Sequence, residues 1–197
     1  MNYSQNVHKL HILDTIKQRR SIGKMNQEQP DRAQIEQLLE AATYAPNHHT
    51  TEPWHFFVAM GAARERLGMV MAEALEMRLS ERQNARSQLL LEKERTKPLR
   101  APVIITVAVP AVEQREDLLE RIEAASAAVQ NMLLTAQEMG LATIWRTGSA
   151  AFDPHVKQWF GLKPDDHIVA FLYVGFSDIQ REERVPTPFE QKTTWLS

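Results

Sequence analysis

The sequence contains no cysteine. That absence excludes disulfides, a thiolate nucleophile and every metal or iron–sulfur site built on cysteine, and it suits a reducing compartment. An excess of one charge is also missing. The 23 Lys and Arg residues against 25 Asp and Glu give a net charge of −2, without the basic surplus that nucleic-acid or anionic-membrane binding needs. No long apolar run is present either. The longest, Val103 to Pro110, is far too short to cross a bilayer and reads as a buried strand. The opening residues, with Asn2, Gln5, Asn6, His8, Lys9 and His11, lack the apolar centre of a secretion signal, so a cytoplasmic location is expected. No P-loop occurs, and no Gly-x-Gly-x-x-Gly turn follows a strand, which argues against a Rossmann or kinase-like nucleotide site. Among seven histidines only His48-His49 are adjacent and no His-Glu-x-x-His is found, so no metal site is expected; His8 and His11 read as surface residues.

What remains is the composition of an ordinary globular protein, 43% hydrophobic and 24% charged over 197 residues, a length suited to one domain spanning 1–197. Residues 1–13 are expected to form a flexible N-terminus. Leu10, Leu13 and Ile16 give a helical stripe that ends near Arg19-Arg20-Ser21-Ile22-Gly23. Asp31 opens a second helix, with Ile35, Leu38, Leu39 and Ala42 at helical spacing up to Tyr44-Ala45-Pro46. A polar loop over 47–52 precedes a strand at 55–60 and a helix over 61–79. Residues 80–100 are highly charged around Leu89-Leu90-Leu91 and read as exposed helix and loop, suited to a lid.

The β-branched run over 103–109 predicts a strand covered on both faces. The longest helix, 116–139, is about 36 Å long. Its small-residue centre, Ala124-Ala125-Ser126-Ala127-Ala128, places it centrally or at a subunit interface. A short strand over 141–145, a helix opened by Asp153-Pro154, a strand over 168–174 and an extended arm over 177–197 complete the chain. Asp165-Asp166 and Glu182-Glu183 read as solvated loop charges. The order of elements predicts an α+β fold with helices packed around a modest sheet.

Three segments, in this order, resemble the nitroreductase family and its short-chain branch over roughly 14–189. They are Arg19-Arg20-Ser21; Ala45-Pro46-Asn47-His48 with Glu52-Pro53-Trp54-His55-Phe56; and Gly140-Leu141-Ala142-Thr143-Ile144-Trp145-Arg146-Thr147-Gly148. The resemblance implies a mixed, mostly antiparallel central sheet flanked by helices, in a domain-swapped homodimer with FMN at the subunit interface. It also implies ping-pong chemistry, in which NAD(P)H reduces the flavin and a small-molecule acceptor, such as a nitroaromatic or a quinone, removes the electrons. No protein side chain is then catalytic in its own right, because the flavin carries the chemistry.

Paired guanidinium groups and a hydroxyl suit a phosphate dianion, and the resemblance assigns Arg19, Arg20 and Ser21 to FMN. It assigns Tyr44 and His48, with Asn47, to flavin bound mainly by the other subunit, and Trp145, Arg146 and Thr147 to the isoalloxazine ring. Family members often carry a basic residue at the position of Gly23, for which Lys24 is the candidate substitute, and Asn and Gln where this chain has Thr50 and Glu52. Pro53-Trp54 reads as a structural corner, and residues 136–141 are where NAD(P)H would approach. Two other readings remain open. One is a flavoenzyme of the same fold carrying out oxygen-dependent flavin fragmentation or reductive dehalogenation. The other is a non-enzymatic helical interaction protein, suggested by the charged segment 80–100.

Overall fold

A computed structural model describes residues 12–81, 84–179 and 182–196. His8, His11 and most of the expected N-terminal segment lie outside the described residues. Among the described residues, six helices and four strands follow in chain order: α1 (Ile12–Gln18), α2 (Arg32–Thr43), β1 (His55–Met60), α3 (Ala62–Arg78), α4 (Ala85–Thr96), β2 (Val103–Val109), α5 (Arg115–Glu138), β3 (Ala142–Arg146), α6 (Pro154–Trp159) and β4 (His167–Gly175). Short 3-10 turns lie between and after them.

The strands form one sheet in the order β1-β2-β4-β3, every ladder antiparallel. β2, buried at every position, takes one of the two central places. Because side chains alternate across a strand, Val103, Ile105, Val107 and Val109 meet Ile35 and Leu38 of α2 and Val129 and Met132 of α5 on one face. Ile104 and Ala108 meet Leu67 and Met71 of α3 and Val156 of α6 on the other. The long helix is therefore central within the chain. Its Ala124, Ala125 and Ala128 are buried in the core, and Asn131 Nδ2 donates to the Ala41 carbonyl of α2 at 3.1 Å.

Local chemistry sets the element ends. Asp31 caps α2 in a reciprocal box with Gln34, each side chain meeting the other's backbone N–H. Asp153 caps α6, with Pro154 at the first helical position, and Trp54 packs into the core as the corner predicts.

Three expectations need correction. The apolar stripe of α1 faces outward: Ile12, Leu13 and Ile16 are exposed, and the buried residue is Thr15, whose hydroxyl donates to Glu138 of α5. Asp166 is buried rather than solvated. Its carboxylate accepts the Ala111 and Lys163 N–H groups at 2.9 and 2.8 Å, tying the exit of β2 to the entry of β4. The charged segment after α3 holds the expected, largely exposed helix, but one side of that helix is docked. Ser87 and Leu91 of α4 are buried, and α4 crosses α3 at Gly68, where a Cβ would lie 2.0 Å from the Arg95 carbonyl oxygen.

Candidate functional site

The Arg-Arg-Ser motif runs directly onto the third. After α1 the chain passes along β3, where Ser21 forms a parallel bridge with Thr143 and the Ile22 N–H donates to the Thr143 carbonyl at 2.9 Å. Arg20 is held by backbone oxygens: its Nε donates to the Glu182 carbonyl at 3.1 Å and a terminal nitrogen to the Arg19 carbonyl at 3.0 Å. The C-terminal arm is thus fastened beside the motif and brings Arg184 with it. Burial, then the charges of Arg184 and Arg20, lower the pKa of the Arg19 guanidinium. Cations crowded together in a half-buried place resist being charged, and an anion relieves the strain.

Two residues further on, Gly23 faces Arg146. A Cβ on Gly23 would lie 3.2 Å from a terminal nitrogen of that guanidinium and 3.6 Å from Ile144 Cδ1. The Arg146 guanidinium carbon sits 5.6 Å from the centre of the Tyr173 ring, and its Nε is buried without a hydrogen-bond partner. Burial pushes the Tyr173 hydroxyl up to about 12, against the opposing pull of Arg146 and Arg100. Lys24 is exposed, and its carbonyl accepts from Ser177. The cation filling the space beside Gly23 is therefore Arg146. Among the described residues, Arg19, Arg20, Arg146 and Arg184 take part in no ion pair.

Trp145 lies on the opposite face of β3 from Arg146 and packs against the core on the α5 side. Its indole N–H donates at 3.1 Å to the carbonyl of Val169, the extra residue where the β2–β4 register shifts. That donor is committed to the fold, which leaves Trp145 its flat ring. Thr147 is exposed, and Gly148 turns the chain with φ 87°.

The second motif is elsewhere. Tyr44 is exposed at the end of α2, and His48 opens a short 3-10 turn. His49, Thr50 and Glu52 all hold positive φ, at 52°, 53° and 40°. This conformation disfavours side chains with a Cβ, and a β-branched threonine most of all. Asn47 braces the loop, its Oδ1 accepting the Glu52 N–H at 2.9 Å. His48 and His49 have ring centroids 3.9 Å apart, and His48 Nδ1 lies 2.7 Å from Glu120 Oε2 on α5. Strain of this kind persists where the surroundings enforce it, and it concentrates at functional sites.

Within one chain, then, the first and third motifs meet and the second stands apart. His48 is bonded to Glu120 near the start of α5, and Thr15, one turn before Arg19, is bonded to Glu138 at its end. Eighteen residues separate these two positions on the helix, or about 27 Å along its axis. Glu120 and Arg184 escape a sequence reading because they are ordinary surface charges far from the motifs. Only the folded helix and the fastened arm bring them in.

This arrangement belongs to a known class. Residues 16–176 match the model of the nitroreductase family, and the chain is a member of that family of oxidoreductases. Among its relatives, it is 33% identical over 182 residues to the Escherichia coli K12 protein named "Putative NAD(P)H nitroreductase YdjA", covering 90% of this chain and 96% of the relative. A nitroreductase-like family protein from Bacillus cereus shares the fold at a TM-score of 0.82 and 27% identity, covering 95% of this chain and 96% of the other. A nitroreductase with bound FMN from Bacteroides fragilis shares it at 0.72 and 21% identity, covering 95% and 100%.

Proposed function

We propose that this chain is an FMN-dependent NAD(P)H oxidoreductase, acting as a homodimer on a small electron acceptor such as a nitroaromatic or a quinone by a ping-pong cycle. The observation that carries this reading is the grouping of Arg19, Arg20 and Arg184 at the start of a segment whose Gly23 faces Arg146, a residue with a buried, unpartnered Nε–H. A phosphate dianion matches the first three, and an electron-rich heterocycle matches the fourth. The flavin of the B. fragilis nitroreductase and the nicotinamide nucleotide in YdjA's name supply the chemical class.

In this reading Arg19 and Arg184 hold the phosphate, and Arg20 adds its charge while its Nε–H keeps the arm in place beside them. Ser21 and Thr147 add hydroxyl contacts, and Arg146 places positive charge where reduction accumulates negative charge. Bound FMN supplies two-electron chemistry that no side chain of this protein offers. The chain's part is to orient nucleotide and acceptor in turn and to limit water.

Two features support a dimer. The loop's anchor at Glu120 and the anchor of Thr15, one turn before Arg19, at Glu138 are about 27 Å apart along α5, which suits service of His48 to the other subunit's cofactor. Exposed Ile12, Leu13 and Ile16 on α1, with Val185, Phe189, Trp195 and Leu196 on the arm, form apolar surface that a lone chain would leave in water.

Protein purified from cells is expected to be yellow and to release FMN on denaturation. Arg19→Ala and Arg184→Ala should each weaken FMN binding by about tenfold or more, as lost charge-assisted hydrogen bonds do. Stopped-flow reduction by NADPH and NADH, followed by reoxidation with an acceptor panel, should give the two separable half-reactions. A colourless protein that takes up no added FMN would overturn the reading. Turnover that needs oxygen or a halogenated substrate, with no response to nitroaromatics or quinones, would redirect it to the other chemistries of this fold.

A further inference from the structure

A neutral imidazole carries one proton on two distinct nitrogens, and its neighbours decide which one. His48 Nδ1 lies 2.7 Å from Glu120 Oε2. An ionised carboxylate only accepts, so Nδ1 is the donor and Nε2, turned away from that carboxylate, keeps its lone pair. Free histidine favours the opposite tautomer, so the carboxylate imposes a choice the ring would not make alone.

The setting is built to hold that choice. His48 stacks on His49 at 3.9 Å between ring centroids, and the backbone behind it is locked by positive φ at His49 and Thr50. Asp117, Glu120 and Arg121 of α5 line a cleft of about 200 Å³ with the two histidines. Glu123 lines a neighbouring cleft of about 360 Å³ on the Pro46 side of His48. Of these carboxylates, Glu120 is the one hydrogen-bonded to the ring.

We infer that Glu120 is a positioning residue: it fixes His48 as the Nδ1–H tautomer, so that Nε2 is offered as a hydrogen-bond acceptor to a hydroxyl or imide N–H of the ligand. This rests on the reading of His48 as a contact to cofactor held mainly by the second subunit. Glu120 itself touches no ligand, and its effect passes through the ring, as an outer-shell partner orients a ligand-binding imidazole elsewhere.

The test is long-range 1H–15N NMR of the His48 ring in the full chain at mildly alkaline pH, where an imidazole is neutral. It is paired with FMN dissociation constants for Glu120→Gln, Glu120→Ala, His48→Ala and the double variant. Wild type is expected to show a protonated Nδ1 and a bare Nε2. Glu120→Gln, whose amide oxygen still accepts, should keep that pattern, while Glu120→Ala should revert to Nε2–H. FMN binding should weaken about tenfold in Glu120→Ala, stay near wild type in Glu120→Gln, and fall no further when Glu120→Ala is added to His48→Ala. A wild-type ring protonated at Nε2 would overturn the inference. So would an equal loss from Glu120→Ala whether or not His48 is present. A protein that binds no FMN yet shows the Glu120-dependent tautomer would remove the flavin reading and leave this one standing.

Discussion

Gly23 and Arg146 are best understood as one device. A glycine here leaves a notch that the guanidinium, over the Tyr173 ring, occupies, and no left-handed backbone at this position requires the glycine for its own sake. Gly23→Val would fill the notch and push the guanidinium aside. Titration by flavin fluorescence should find FMN affinity lowered about tenfold, with thermal stability nearly unchanged. Arg146→Lys should fall between wild type and Arg146→Ala, because a lysine keeps the charge and loses the planar fork. The sequence made this corner only partly legible. Arg19-Arg20-Ser21 and Trp145-Arg146-Thr147 stand out as motifs, but their meeting depends on a single bridge between Ser21 and Thr143. Arg146, which faces Gly23, comes from β3, far away in sequence, whereas the local pattern points only to neighbouring Lys24. Glu120 and Arg184 have no local signature at all.

Among the elements, strands and helices were readable where one period dominated. The unbroken β-branched run of β2 and the capped start of α2 are examples, and their bounds fall within a residue or two of the periodicity. α4 was not readable in the same way, because its apolar content is small and its charged residues suggest an exposed segment. Its docking depends on Gly68, a glycine inside α3 that costs helix propensity and returns a close crossing of two backbones. Gly68→Ala places a methyl group against the Arg95 carbonyl, where the neighbouring atom is backbone and cannot swing away. Thermal or urea unfolding should report a loss of about 1–3 kcal/mol. The same crossing removes the main support for a free, charged interaction segment over 80–100.

For the molecule as a whole, the two ends of α5 define the question. If each cofactor takes its guanidinium cluster from one subunit and its histidine loop from the other, two crippled chains can repair one another. Mixed dimers of Arg146→Ala and His48→Ala chains should contain one site with both lesions and one with neither, so that about half of the sites in each hybrid regain wild-type turnover. Activity of the mixture after co-refolding or co-expression, compared with either variant alone, gives the answer; no recovery would mean that each chain builds its site unaided. Among the described residues no helix is long and apolar enough to cross a membrane, and the exposed arm and α1 stripe are the surfaces on which such an assembly would close.

The length of α5 then has a thermodynamic consequence. If one chain's arginines hold the cofactor and the other chain's histidine loop completes the site, a lone chain retains the ligand less tightly, so occupancy and the pairing of chains become one coupled equilibrium. Saturating flavin should hold subunits together at dilutions where the apo-protein separates, and dilution should in turn bleach the colour from the solution.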